Sequence, residues 1–312
     1  MKRFKNILYV VDTEPSPEEA NVSDKVANLA KLNNARVTLA GISDEHPLLE
    51  QFNKLLSAKF EKLEDQLTSQ KMSAIQELLS TDRWKGLEVE SCFLHGKDFV
   101  SIIQKVLQDK HDLVIKKRTT AEDEDALAMR LFRKCPCPVW IIDGSQSTDF
   151  KKVLGAIDVN SNENETKQLN KKIIELTSSL AQRESGEAHY LHAWELPHEV
   201  MLRSPRFNVA EQELVQMKQD LATTLEETFQ KTLAEAGVAG PPGHVHLEEG
   251  EVSKVIQYVM DSLEIDVLIM GSIARSGIPG LLIGNSAEKI LTETKCSVLA
   301  VKPDGFISPV TE

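Results

Sequence analysis

The sequence predicts an α/β protein made of two tandem, five-stranded, doubly wound parallel-sheet domains. Two observations carry this. The chain repeats itself, and within each copy short apolar runs alternate with longer stretches of helical period. "FKNILYVVD" from Phe4 is answered by "FKKVLGAID" from Phe150, each an apolar run ending in an aspartate, Asp12 and Asp158. "HDLVIK" around Asp112 matches "IDVLIM" around Asp266, and "CPVWIID" from Cys137 matches "CSVLAVK" from Cys296. Three anchors in one order at similar offsets indicate a duplicated unit.

In the first copy, "ILYVV" reads as a strand, Val22, Val26 and Leu29 mark a helix, and Phe52, Leu56, Phe60, Leu63 and Leu67 mark a long second helix. In the second copy "KKVLGAI" is strand-like, and Leu169, Ile173, Leu176 and Leu180 then recur at helical spacing. "AHYLHAWEL" is again strand-like, and Leu214, Met217, Leu221, Leu225 and Phe229 form another helical stripe. "HVHLEEG", a helix through Val255 and Val259, "IDVLIM", a helix from Asn285 and "CSVLAV" complete the copy. Strands alternating with helices imply parallel strands joined by helical crossovers. The join falls in the small, polar "DGSQSTD", Asp143 to Asp149, giving domains over 1–144 and 150–312.

Composition narrows the function. A chain of 312 residues fits two domains of ~100–200 residues each. The net charge of −12 argues against nucleic acid or an anionic membrane as a partner, since both demand a basic surface. No apolar stretch reaches membrane-spanning length, and the opening "MKRFKNILYVVD" has too short an apolar run, Ile7 to Val11, for a signal peptide. Four cysteines, two of them in "CPCP" as Cys135 and Cys137, make neither a disulfide framework nor a pair of zinc knuckles. A reducing cytoplasm is therefore expected. Two thiolates in three residues supply at most half a tetrahedral metal site, and small buried residues entering a strand are the simpler reading.

The stretch "MGSIARSGIPGLLIGNSAEKI", Met270 to Ile290, sets four glycines between a strand and a helix. Gly271 lets a phosphate approach the main chain, and the helix after Gly284 offers unpaired N–H groups and the positive end of a dipole. On its own the run reads equally well as a strand end, a turn and a capping box from Asn285 to Glu288.

Duplicated sheet, terminal aspartate and glycine loop together resemble the universal stress protein family, over essentially the whole chain. "LFRKCPCPVWIID", "LIGNSAEKIL" and the tail "VKPDGFISPV" resemble its bacterial tandem members. The resemblance implies Rossmann-like domains packed as an internal pseudo-dimer through the fifth strands, Val139 to Ile142 and Val298 to Val301. It also implies ATP or a related adenine nucleotide, with Mg, as a regulatory or slowly hydrolysed ligand. A further homo-oligomer is compatible with it. Carried over residue by residue, Asp158 with Val159 meets the nucleoside and Ala193 the adenine. Met270, Gly271, Ile273, Ala274, Gly284, Asn285 and Ser286 hold the phosphates. Two positions depart from the family pattern: Ala274 stands where it has glycine, and Asn285 where it has serine or threonine.

The first copy continues from "HDLVIK" as "KRTTAEDEDALAMRLFRK", without glycine. Lys116, Lys117 and Arg118 are its candidates for attracting an anion, although a charge run is more often simply solvated. This half reads as a lapsed nucleotide site, structural or adapted to a different small molecule. His244 and His246 share one face of a strand with His192 on the preceding one, so zinc is conceivable there, but no local motif supports it. Trp194 reads as core or interface rather than as a base-stacking platform. A P-loop lysine, a nucleophile with its base and a magnesium carboxylate pair are all missing from the sequence, so catalysis is not expected beyond slow ATP hydrolysis. The alternative is an interaction or small-molecule-binding module in the stress response that has lost nucleotide in both halves.

Overall fold

The computed structural model describes residues 3–12, 16–42, 66–119, 125–145, 150–161, 163–238, 243–272, 285–294 and 296–311. The first half runs β1 (Asn6–Val10), α1 (Pro17–Asn33), β2 (Arg36–Ile42), α2 (described over 66–79), β3 (Val89–Leu94), α3 (Asp98–Asp109), β4 (Leu113–Lys117), α4 (Ala126–Lys134) and β5 (Val139–Ile142). The second runs β6 (Lys152–Ala156), α5 (Asn164–Arg183), β7 (Glu187–Trp194), a short α6 (Glu199–Leu202), α7 (Glu211–Glu235), β8 (Val245–Glu249), α8 (Val252–Leu263), β9 (Val267–Gly271), α9 (Asn285–Glu293) and β10 (Ser297–Val301). Of the long second helix expected in the first half, Phe52, Leu56, Phe60 and Leu63 lie outside the described residues, while Leu67 is on α2 and half exposed.

All ten strands form one sheet in the order β3-β2-β1-β4-β5-β10-β9-β6-β7-β8. Within each half every pairing is parallel; at the centre β5 and β10 pair antiparallel, Trp140 opposite Leu299. The order reads the same from either end, so the halves are related by an internal two-fold through the fifth strands. One face carries α1, α2, α5 and α7 on a core including Tyr9, Trp140, Tyr190, Trp194 and Phe229. The other carries α3, α4, α8 and α9. Trp194 is thus core. With both faces covered, the strands have no reason to alternate, and β1, β5 and β10 are buried at every position.

The repeat anchors have structural causes. Asp112 accepts the N–H groups of Lys5 at 2.6 Å and Asn6 at 3.0 Å, and Asp266 accepts that of Lys152 at 2.8 Å. In both halves this carboxylate, standing just before the fourth strand, pins the start of the first strand. α1 opens on Ser16, whose hydroxyl accepts the Glu19 N–H, with Pro17 at the first helical position, and closes on Asn34 in the left-handed region. Arg118 donates to the Cys296 carbonyl at 2.7 Å, and Arg133 pairs with Glu288, so side chains as well as strands tie the halves together.

Candidate functional site

In the second half the strand order reverses between β6 and β9, which opens a crevice beyond their carboxyl ends. Ala156 lies opposite both Met270 and Leu191, so the ends of β6, β7 and β9 converge there. This brings Asp158, Val159, Ala193, Met270 and Gly271 to one edge of the sheet. Asp158 is held by its main chain: its N–H donates to Asn170 Oδ1 at 3.1 Å, and its carbonyl accepts from Asn170 Nδ2 at 2.7 Å. Asn170 is buried on α5, which explains a polar residue on that helix's inner face. The Asp158 carboxylate also accepts the Asn160 N–H at 3.0 Å, a turn-forming bond. Val159 and Ala193 are buried, and Met270 packs into the core beneath α8 and α9.

A Cβ at Gly271 would lie 2.9 Å from Cδ2 of Leu169 on α5, the movable end of that side chain. α9 begins at Asn285, with Ser286 next, so a helix N-terminus follows the glycine run. Ile273, Ala274 and Gly284 lie outside the described residues.

The first half has the same crevice between β1 and β4, with different chemistry. Lys117 ends β4 where Gly271 ends β9. Its ammonium lies 2.9 Å from Asp12 Oδ2, 3.3 Å from Ser16 Oγ and 3.8 Å from Glu19 Oε2. The aspartate corresponding to Asp158 is thus already paired. Burial lifts the Glu19 carboxyl to about 7, against the pull of the Tyr9 hydroxyl and Lys117.

Lys116 pairs with Asp125 at 2.8 Å and donates to Thr119 Oγ1 at 2.8 Å. Asp125 caps α4 through the Ala128 N–H; burial raises its carboxyl, but Lys116 and two backbone N–H groups outweigh that and hold it below the ordinary range. Arg118, expected with the two lysines as an anion attractor, turns away to Cys296 and serves as a strut between the halves. The run is therefore internally neutralised rather than solvated. A cavity of about 220 Å³ remains, lined by Asp12, Ile42, Lys71, Lys116, Lys117 and Leu127 among others.

The histidines group differently from the expectation. His192 is buried on the α7 face, its Nδ1 3.1 Å from the Ile157 carbonyl and its ring edge toward Phe229. His189, which the sequence did not single out, is the one that joins His244 and His246. Its ring stacks on His244 at 4.5 Å, and its Nδ1 lies 3.2 Å from His246 Nε2. The register pairs Leu191 with His246, putting these three on the face opposite His192. Burial foremost, and then neighbouring imidazoles, hold His189 below its ordinary pKa. Among the described residues no group of three or more His, Cys, Asp or Glu could hold a metal.

Residues 3–143 and 149–302 each match the model described as "Universal stress protein family". The chain belongs to the universal stress protein family. It is similar to universal stress protein E of Photorhabdus laumondii, with 26% identity over 99% of this chain and 98% of that one. It is also similar to universal stress protein E of Escherichia coli K12, with 28% identity over 69% of this chain and 68% of that one. Among solved structures, a functionally unknown protein from Pseudomonas aeruginosa PAO1 superposes with a TM-score of 0.70 at 22% identity, covering 98% of this chain and 95% of the other. A universal stress protein from Archaeoglobus fulgidus gives 0.59 at 16%, covering 97% and 98%. At those identities the structures establish the fold alone, that of a tandem universal stress protein. No helix among the described residues is long and apolar enough to cross a membrane.

Proposed function

We propose that this universal stress protein binds ATP or a related adenine nucleotide, with Mg, in its second half as a regulatory ligand. The first half is structural or holds a different small molecule. The observation that carries this is the exchange of Lys117 for Gly271 at the end of the fourth strand, because the Lys117 side chain reaches Asp12 across the first crevice and a glycine has no side chain to make that crossing. The donor set fits an adenine nucleotide: Asp158 offers carboxylate acceptors for ribose hydroxyls, Ala193 and Val159 a buried apolar wall, and the α9 N-terminus unpaired N–H groups for phosphate. Ile273, Ala274, Gly284, Asn285 and Ser286 complete the cradle by resemblance. Main-chain donors bind ground-state charge, so hydrolysis at this site is slow or absent. The cytoplasm is the compartment in which such a ligand is abundant.

A second reading, an interaction module without nucleotide, has support of its own: the Asp158 carboxylate already serves a turn. Native mass spectrometry of freshly purified protein separates the two. An adenine nucleotide travelling with wild type and lost in Gly284→Val supports the first reading. No uptake at millimolar ATP, or equal loss on altering Lys116, overturns it.

A further inference from the structure

The loop between α4 and β5 holds two cysteines separated by one proline, Cys135-Pro136-Cys137. Their sulfurs lie 3.6 Å apart, in contact as a thiol pair. Cys135 is wholly buried, but Cys137 borders a cavity of about 490 Å³ that Pro136, His111, Lys302 and Phe306 also line. Lys302, just beyond β10, is itself buried. Its ammonium donates to the Phe132 carbonyl, one helical turn before Cys135, and to Ser272 Oγ at 2.9 Å, and it sits 4.7 Å from the centre of the Phe306 ring. With its ammonium satisfied by these partners, Lys302 keeps a positive charge whose field favours negative charge on Cys135 and Cys137.

We propose that Cys135 and Cys137 are a reversible redox site, oxidised to an intrachain disulfide by a hydroperoxide entering through the cavity beside Cys137, with Lys302 steadying the thiolate. The surroundings favour this chemistry. Although burial opposes it, the hydrogen bonds from Cys137 and the charge of Lys302 hold the Cys135 thiol below its usual range. Burial brings Lys302 down to about 8. The hydrogen bond to Cys135 first, and then burial, hold the Cys137 thiol well above its usual range, so Cys137 becomes the nucleophile by passing its proton to the Cys135 thiolate 3.6 Å away as the oxidant arrives.

The Cys137 sulfur attacks the outer peroxide oxygen and the O–O bond breaks. One alcohol, or water, departs with a proton, and a sulfenic acid remains. The Cys135 thiolate then attacks that sulfur, the S–S bond forms, and hydroxide leaves as water. Two thiols and one hydroperoxide thus give one disulfide, one alcohol and one water. Closure requires the sulfurs to approach by about 1.6 Å. A ring of three residues gains little from loop closure and is strained, which makes the bond easy to reduce.

The second half supplies an internal control. Cys296 stands where Cys137 does, Thr294 stands where Cys135 does, and burial pushes the Cys296 thiol up to about 12. Cys92, on β3, is raised by burial.

The test uses the reduced full-length chain, a small molar excess of hydrogen peroxide, alkylation with iodoacetamide and peptide mass mapping. The expected product is a Cys135–Cys137 peptide lighter by two hydrogens, resistant to alkylation and restored by dithiothreitol, with Cys296 still a thiol. Both cysteines remaining alkylatable, or Cys137 going to sulfinic acid beside a free Cys135, would overturn the proposal. In Cys135→Ser, Cys137 should accumulate as a sulfenic acid trapped by dimedone. Lys302→Met should oxidise about tenfold more slowly, the change in thiolate fraction expected for one pKa unit. Lys302→Arg should keep the wild-type rate. Equal rates in wild type and Lys302→Met would remove Lys302 from the site.

Discussion

The two switch points share a backbone and differ in what stands at the end of the fourth strand. In the first half Lys117 reaches across the crevice to Asp12, with Ser16 and the buried Glu19 beside it. In the second half Gly271 has no side chain to make that crossing, and Asn170 fixes the Asp158 main chain. Duplication supplies two scaffolds of one topology, and the side chain at the end of the fourth strand then decides whether the first crevice is crossed from within. A lysine there satisfies a carboxylate that would otherwise need a partner, at the cost of access.

The largest expected consequence belongs to the filled half. The Glu19 carboxyl stands at about 7 in the folded chain against an ordinary 4.5, so between those values the folded state holds a proton the unfolded state has lost. Its contribution is fully present below pH 4.5 and disappears as pH rises to 7, by about 3 kcal/mol in all. The counterpart on α5, Glu165, is exposed. Denaturant melts at pH 4.5 and 7 should show Glu19→Gln losing this decline. An unchanged slope would mean that Lys117 keeps Glu19 ionised throughout.

The open half is probed by ligand. Nucleotide at a hundredfold of its dissociation constant should stabilise wild type by ~2.7 kcal/mol, and Gly284→Val should abolish that gain, since a branched side chain would crowd the phosphate path that the family resemblance assigns to this position. Lys117→Met should leave the gain intact. Thermal melts with and without ATP check both. If Lys117→Met and Gly284→Val lost the stabilisation equally, the assignment of the halves would be wrong.

A smaller contrast lies one layer out. Asn170→Ala strips the Asp158 N–H and carbonyl of buried partners and should cost ~1–3 kcal/mol. Asp24, the matching α1 residue, is more than half exposed and pairs with Arg83 at 3.0 Å, so Asp24→Ala should cost ~0–1 kcal/mol. Chemical denaturation of both variants measures the difference. Similar costs would show that Asn170 does not hold the site's main chain.

The fold was legible because its anchors do repeated physical work: Asp112 and Asp266 must each pin a first strand, so the same letters recur at the same place. The terminal aspartates Asp12 and Asp158 repeat likewise at the ends of the first strands, whereas Gly271 has no repeat and corresponds to Lys117 in the other half. Side-chain destinations were not legible. Arg118 follows two lysines in sequence, yet the β5–β10 junction draws it to Cys296, and nothing local announces a contact 178 residues away. His192 was grouped with His244 and His246 because "AHYLHAW" is apolar or aromatic on both alternating faces, as a strand covered on both sides must be. Only the β7–β8 register reveals that His189 is the one sharing their face. The Lys117–Asp12 pair was hidden likewise, since the two residues meet only once β1 and β4 are neighbours.

The smallest effect expected is in turnover, and it discriminates a binding site from an enzyme. Main-chain N–H groups and a helix N-terminus stabilise phosphate charge already present in the ground state, and only interactions strengthened in the transition state accelerate chemistry. Asp158 is the one carboxylate at this edge that invites assignment as a base. Its carboxylate accepts the Asn160 N–H, and its main chain is fixed by Asn170, so it is held as a turn residue. ATP hydrolysis by the purified protein should therefore fall well below the ~1–10³ per second usual for enzymes, and Asp158→Asn should weaken nucleotide binding without changing the residual rate at saturation. Turnover of several per second, removed by Asp158→Asn at undiminished affinity, would make the second half a catalyst and turn the Lys117–Asp12 pair into the inactivated copy of its active site.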